Sequence, residues 1–415
     1  MNVSDVFIAG GMPRVTYNPR SELKLESTLI EYLEDRYKLI SITGPTKSGK
    51  TVLFTKVIPT DQRLLIIGGG IKSDDDFWNC VLDELDYEML DSTTVTNSKS
   101  ENENGSISGE LNMGFAKLSA TTADAGEVSN SKSKTLRRIT SLKQQAIKRL
   151  REVDPILVID DFHYITQEVQ QQVVRSLKQL IFEGLRVVIL AVPHRAYDAL
   201  KVETEMTGRV VQLQIALWSK NELEQIGFTG FKELNIVCDP NILELFAEES
   251  FGSPNLMQEF CNRLCKINGI KYSLDVSQEI FLNDKNAFFA EIVNSVTSKV
   301  AYERLAKGPR QRADRLQRKL KNGEVVDIYS AILHAIAETG PKIVISYEEL
   351  RSSLKKVLDE DAPKGNEITR VLSKMDEIAK TLQGEPVIDW DKDDTNLFIS
   401  DPYFAFYLKW AIKSH

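Results

Sequence analysis

Cysteine, histidine, excess positive charge and long apolar runs are all scarce in this chain of 415 residues. Four cysteines, Cys80, Cys238, Cys261 and Cys265, are too few to staple a scaffold of this length. Cys261 and Cys265 fall four apart in an apparent helix with no nearby histidine, which argues against a metal site and for buried thiols in a reducing compartment. No uncharged stretch approaches the roughly 18 apolar residues of a membrane span. The N-terminus lacks a basic segment followed by an apolar run, so secretion is disfavoured and a cytoplasmic location is expected. Lysine and arginine number 52 against 60 acids, a net charge of −8. Nothing global therefore points to nucleic acid, although a local basic patch remains compatible with that balance. The length predicts two or three domains with ample core.

Against these absences stands one complete motif. Gly44-Pro45-Thr46-Lys47-Ser48-Gly49-Lys50-Thr51 has the form G-x-x-x-x-G-K-[ST]. The run Leu39–Thr43 before it is short, apolar and β-branched, and Val52-Leu53-Phe54 continues as a helix. A strand turning through glycines into a helix N-terminus aims several unpaired backbone N–H groups at one point, where phosphate oxygens satisfy them. Lys50 is expected to reach the β- and γ-phosphates, and the Thr51 hydroxyl to ligate Mg²⁺. The motif implies a bound nucleoside triphosphate.

The second half of such a site is expected on the strand Ile156–Asp160. Asp160 at its carboxyl end would hold Mg²⁺ through water, beside Thr51. Asp161 would polarise the attacking water, and its side chain is one methylene shorter than a glutamate, which predicts slow hydrolysis. The strand Val187–Val192 ends in Pro193-His194-Arg195, and either His194 or Arg195 suits a polar group facing the γ-phosphate.

Strands at 64–67, 156–160, 187–192 and 210–217 alternate with helical patterns, which predicts a parallel sheet covered on both faces. Beyond Leu217 the pattern turns helical, opened by a capping box at Ser219 and Glu222. The division expected is a core over 1–217, a helical lid over 218–269, a charged helical connector over 270–325 and a last domain over 326–415. That last domain reads as three helices and then a β-hairpin, the winged-helix order. Residues 91–134 interrupt the core with Ser, Thr, Asn and Gly. They read as a loop, or as an inserted hairpin from the alternation of Ile107, Leu111, Met113 and Phe115.

With these elements assembled, the chain resembles an AAA+ ATPase near the border of the origin-recognition initiators and the STAND switch ATPases. The resemblance covers 15–267 through G-P-T-K-S-G-K-T, I-L-V-I-D-D, Arg209 and the turn Gly252-Ser253-Pro254. It implies an α/β P-loop sheet, an all-α lid, a C-terminal winged helix, and ATP with Mg²⁺ as cofactors. Pro254 would then border the nucleotide, and the base would sit near Val15–Tyr17. Arg209, just before a strand, would reach into a neighbour's site, which implies a homo-oligomer. Asn255 stands where such proteins carry a phosphate-sensing arginine. The paired aspartates and the ending D-P-Y-F-A-F-Y-L-K-W (401–410) lean to the STAND side, which implies a nucleotide-controlled oligomerisation switch acting through a protein effector, in some relatives in antiviral defence.

Two other functions compete. Lys307, Arg310, Arg312, Arg315, Arg318, Lys319 and Lys321, against Asp314 alone, form a basic run. Its arginines at 312, 315 and 318 would line one helix face that either follows duplex DNA in an initiator or transposition regulator or is a solvated face paired with acidic neighbours. The expected wing is acidic (Asp389, Asp391, Asp393, Asp394), which favours contact with protein, including the ATPase core itself. The third possibility is a catalytically inert nucleotide-binding module.

Overall fold

A computed structural model describes residues 1–85, 141–192, 208–295, 298–309, 317–382 and 386–413. After a short α1 (Val3–Val6) and α2 (Leu25–Glu34), the core runs β1 (Leu39–Thr43), α3 (Lys50–Val57), β2 (Arg63–Ile67) and α4 (Asp74–Glu84). It continues through α5 (Leu142–Val153), β3 (Ile156–Asp160), α6 (Gln167–Phe182), β4 (Arg186–Ala191) and β5 (Val210–Gln214). The five strands pair in parallel in the order β2-β3-β4-β1-β5.

Alternation along each strand divides the core in two. Ile40, Ile42, Val158, Val188 and Leu190 face α2 and α3, packing with Leu29 and Phe54. Their neighbours Leu39, Leu157, Ile159, Val187 and Ile189 face α4, α5 and α6, packing with Trp78, Leu150 and Val173. Near-continuous apolar strands are what a sheet buried on both sides requires. Because β4 lies between β1 and β3, the strand ends carrying the phosphate loop and Asp160 are separated by one strand, leaving a crevice at the carboxyl edge.

The lid comprises α7 (Lys220–Glu233), β6 (Ile236–Cys238), α8 (Pro240–Glu249) and α9 (Pro254–Ile267). Ser219 and Glu222 cap α7 reciprocally, as their spacing predicts. β6 pairs in parallel with β7 (Gln278–Ile280). Cys261 and Cys265 are buried and Cys80 and Cys238 half-buried, all as free thiols. Burial pushes the Cys238 and Cys265 thiols up to about 12.

Then come α10 (Lys285–Ser295), α11 (Ser298–Lys307), β8 (Gln317–Lys319) and β9 (Val325–Asp327). The winged helix follows as α12 (Ile328–Glu338), β10 (Val344–Ser346), α13 (Tyr347–Val357), α14 (Gly365–Lys380), β11 (Ile388–Asp391) and β12 (Asn396–Ile399), with its strands ordered β10-β12-β11. A last helix, α15 (Pro402–Tyr407), passes into a π-helical turn over 408–413.

Two expectations change. The connector 270–325 is not helical throughout, because β8 and β9 form an antiparallel hairpin. Arg318 and Lys319 diverge from it as strand neighbours do, Arg318 to Glu360 and Glu367 and Lys319 to Asp359. Arg318 therefore lies on no helix face with Arg312 and Arg315, which with Arg310 are outside the described residues. The strand expected to reach Leu217 stops at Gln214, because the Ala216 and Leu217 carbonyls accept from the Arg20 guanidinium instead of from a ladder. The proposed hairpin at 91–134 also lies outside the described residues. Among those described, no helix is long and apolar enough to cross a membrane.

Candidate functional site

The phosphate loop joins β1 to α3 around two glycines. Gly49 has φ +98°, a conformation that L side chains rarely adopt, and a Cβ on Gly44 would lie 2.9 Å from the Ile215 carbonyl oxygen. Lys50 is buried, with its ammonium donating to the carbonyls of Gly44 and Pro45, each at 2.9 Å. The amine thus sits within the curve of the loop. The hydroxyls of Thr46 and Ser48 are buried without a hydrogen-bond partner in the protein, and an orphaned buried hydroxyl costs about 1–3 kcal/mol. Phosphate oxygens fit that donor set, so the residues present suit a polyphosphate.

Thr51 and Asp160 meet. The Thr51 hydroxyl donates to Asp160 Oδ2 at 2.9 Å, and Asp160 Oδ1 accepts from the Asp161 backbone N–H at 2.8 Å. The carboxylate is 7% exposed. A hydroxyl and a carboxylate in contact at the loop's edge are the oxygen donors that Mg²⁺ takes from protein when phosphates and water supply the rest. Asp161 turns away from β3 at φ +56°.

Beside the loop, Thr16, Tyr17, Gly49, Val52, Trp218 and Pro254 help line a cleft of about 610 Å³ including its mouth. Thr16 and Tyr17 belong to the segment expected at the base, whereas Val15 packs into the lid core. Asn255 also lines the cleft, so the residue after Pro254 offers an amide there rather than a cation.

Two of the cleft's organisers carried no motif. Trp218 donates its indole N–H to the Ser48 carbonyl at 2.8 Å. Arg20 is 5% exposed, bonds Glu222 and the Ala216 and Leu217 carbonyls, and stacks 4.9 Å from the Trp218 ring. The N-terminal segment, lid and phosphate loop are thereby joined. The only sequence hints were Pro19-Arg20 ahead of a helix and a tryptophan directly before a capping box.

Arg209 is not brought to this chain's own loop. Its carbonyl accepts from the Leu39 N–H, so it sits at the amino edge of the sheet, a strand length from Thr43, with its guanidinium 5.1 Å from the centre of the Phe182 ring. His194 and Arg195 lie outside the described residues.

No protein-family model matches the chain, and no curated protein matches its sequence. Solved structures do match over its full length. A Walker-type ATPase of Pyrococcus abyssi is 15% identical with a TM-score of 0.55, covering 97% of this chain and 99% of that one. Cdc6p of Pyrobaculum aerophilum is 13% identical at 0.44, covering 99% and 98%. The ORC2 protein of Aeropyrum pernix, solved in ADPNP–ADP complexes, is 12% identical at 0.48, covering 99% and 96%. The first alone carries the argument: the chain has the fold of a Walker-type P-loop ATPase, its five-stranded parallel sheet followed by a helical region and a winged helix.

Proposed function

We propose that this chain binds Mg-ATP in the phosphate loop, hydrolyses it slowly, and uses the nucleotide to set the arrangement of core, lid and winged helix, and with it the oligomeric state. The observation that carries this reading is the Thr51–Asp160 contact beside a loop with two orphaned hydroxyls. Bound Mg²⁺, held by Thr51 and Asp160, supplies neutralisation of phosphate charge and polarisation of the γ-phosphoryl group. Lys50 binds phosphate, and the backbone of residues 44–52 cradles it. Asp161 orients water, Pro254 and Thr16–Tyr17 border the base, and Arg209 serves a neighbouring copy's site. Arg195 remains the candidate facing the γ-phosphate. Nucleotide can shift the arrangement only by binding one form more tightly.

A second reading is a DNA-associated ATPase of the initiator or transposition-regulator kind. The complete architecture favours it, since a AAA+ core and lid precede a winged helix whose third helix, α14, is of the type that enters a major groove. Its charges are partly spent internally: Lys374 pairs with Glu377, and Lys380 with Asp376 and Asp389. The fold likeness lends no support to a signalling or antiviral role.

Mass measurement separates the readings, using wild type and Lys50→Ala with AMP-PNP, with ADP and with duplex DNA. Growth of wild type with AMP-PNP alone supports the switch, and growth that needs DNA supports the second reading. Absence of nucleotide binding by wild type refutes both.

A further inference from the structure

Lys47 enters the nucleotide site through its backbone, but its side chain leads elsewhere. It occupies the left-handed region at φ +59°, where a residue with a Cβ is uncommon and a functional reason is worth seeking. Its ammonium donates to Asp401 Oδ1 at 2.7 Å and lies 4.3 Å from the centre of the Tyr403 ring. Asp401 follows the winged helix's last strand, and the same Oδ1 caps α15 by accepting from the Tyr403 N–H at 2.9 Å. Eight and nine residues on, Lys409 Nζ and Trp410 Nε1 both donate to Glu249, at 2.7 and 2.8 Å. Glu249 ends α8 of the lid and is 5% exposed. Residues 401–410 thus run from the phosphate loop to the lid, with one charged contact at each end.

We propose that Lys47 is a phosphate-responsive residue held in check by Asp401, so that a triphosphate in the loop and the C-terminal helix compete for one ammonium group. This rests on the nucleotide reading above. Polyphosphate arriving in the loop offers Lys47 a second anion and repels the Asp401 carboxylate, so both effects loosen α15 from the loop. By reciprocity, docking of α15 weakens nucleotide binding by the same factor. The lid brings no cation directly after Pro254, where Asn255 stands, and among the described residues Lys47 is the phosphate-loop charge that contacts Asp401.

Asp401→Asn tests this cleanly, because asparagine caps a helix as well as aspartate does and only the charge is lost. Affinity for AMP-PNP and ADP is measured by calorimetry in wild type, Asp401→Asn, Lys47→Met and the double variant, with small-angle scattering of each. Lys47→Gly, which suits the backbone at this position, serves as a second neutral variant. Asp401→Asn should bind AMP-PNP about fivefold more tightly than wild type, the effect of about one partly screened ion pair. ADP should gain less. The gain should shrink markedly when Lys47 is neutral, leaving only the part due to repulsion of Asp401, and scattering should show a more extended particle for Asp401→Asn with AMP-PNP than for wild type without nucleotide. Equal affinities of wild type and Asp401→Asn, both lost on Lys50→Ala, overturn the latch while leaving the nucleotide site standing. A gain undiminished in Lys47→Met and Lys47→Gly also overturns it, since Asp401 would then act by repulsion alone. Binding by neither wild type nor Asp401→Asn overturns the latch together with the nucleotide reading.

Discussion

The Thr51 hydroxyl and the Asp160 carboxylate lie 2.9 Å apart across 109 positions of sequence. Neither belongs to the other's strand pair, since β4 separates β1 from β3. Parallel strands ending on a common edge bring them together. A single ion could be shared between them, which is the geometry the two motifs require.

Asp160→Asn should leave the fold intact, because its amide oxygen can still accept from the Asp161 N–H while its NH2 donates to the Thr51 hydroxyl. Nucleotide affinity should become independent of Mg²⁺, and turnover should fall by about 100-fold or more. Calorimetry with and without EDTA, beside phosphate release, checks both. Full Mg²⁺ dependence in the variant would move the metal site elsewhere.

Asp161 explains why an aspartate can stand where longer reach would serve hydrolysis. Its backbone is left-handed at φ +56°, a region in which Asp and Asn are several-fold enriched. Asp161→Glu should raise phosphate release while lowering the thermal midpoint by a degree or two, and Asp161→Asn should abolish release with little change in stability. Gly68→Ala is the companion test: its Cβ would fall 2.5 Å from the Asp161 carbonyl oxygen, so the turn must shift at a cost of about 1–3 kcal/mol.

Trp218→Phe keeps an aromatic ring against Arg20 and removes the hydrogen bond to the Ser48 carbonyl. A hydrogen bond of this kind contributes about 1 kcal/mol net, so nucleotide affinity should drop about fivefold. Emission of Trp218 itself should change on addition of AMP-PNP to wild type. An unchanged affinity would show that the loop keeps its shape without the lid.

His334 gives the winged helix a pH dependence. Burial holds its imidazole below the usual 6.5, although Glu324 pulls it upward. The unfolded chain then binds more protons as pH falls through about 6.5, so stability present above that pH is lost toward the lower folded value. Between pH 7 and pH 5 the thermal midpoint of wild type should fall more than that of His334→Gln. Parallel curves would assign the loss to other groups.

What was legible in the sequence was mostly local. The phosphate loop, the strand ending in Asp160 and the capping box at Ser219 each depend on a few neighbouring residues, and the box closes reciprocally. The hairpin of β8 and β9 escaped notice because three-residue strands carrying Arg318 and Lys319 have no apolar alternation to betray them. Three-residue β10 is similarly brief, and its partner β12 is remote in sequence, with Val344 opposite Phe398. The contacts that shape the site's surroundings are all long-range. Arg20 reaches Glu222, Trp218 reaches Ser48 and Lys47 reaches Asp401, and no periodicity or motif marks any of these pairs.

The short helix α15 is a party wall. Phe404 and Ala405, with Leu408 just beyond the helix, complete the winged-helix interior, while Phe406 and Tyr407 complete that of the lid. Scissors placed between 295 and 298 would therefore yield an N-terminal fragment with bare aromatic sockets and a C-terminal fragment with Phe406 and Tyr407 laid open to water. Dissection into separately expressed pieces is ill suited to this chain, and deletion of its final fifteen residues should injure both rooms at once.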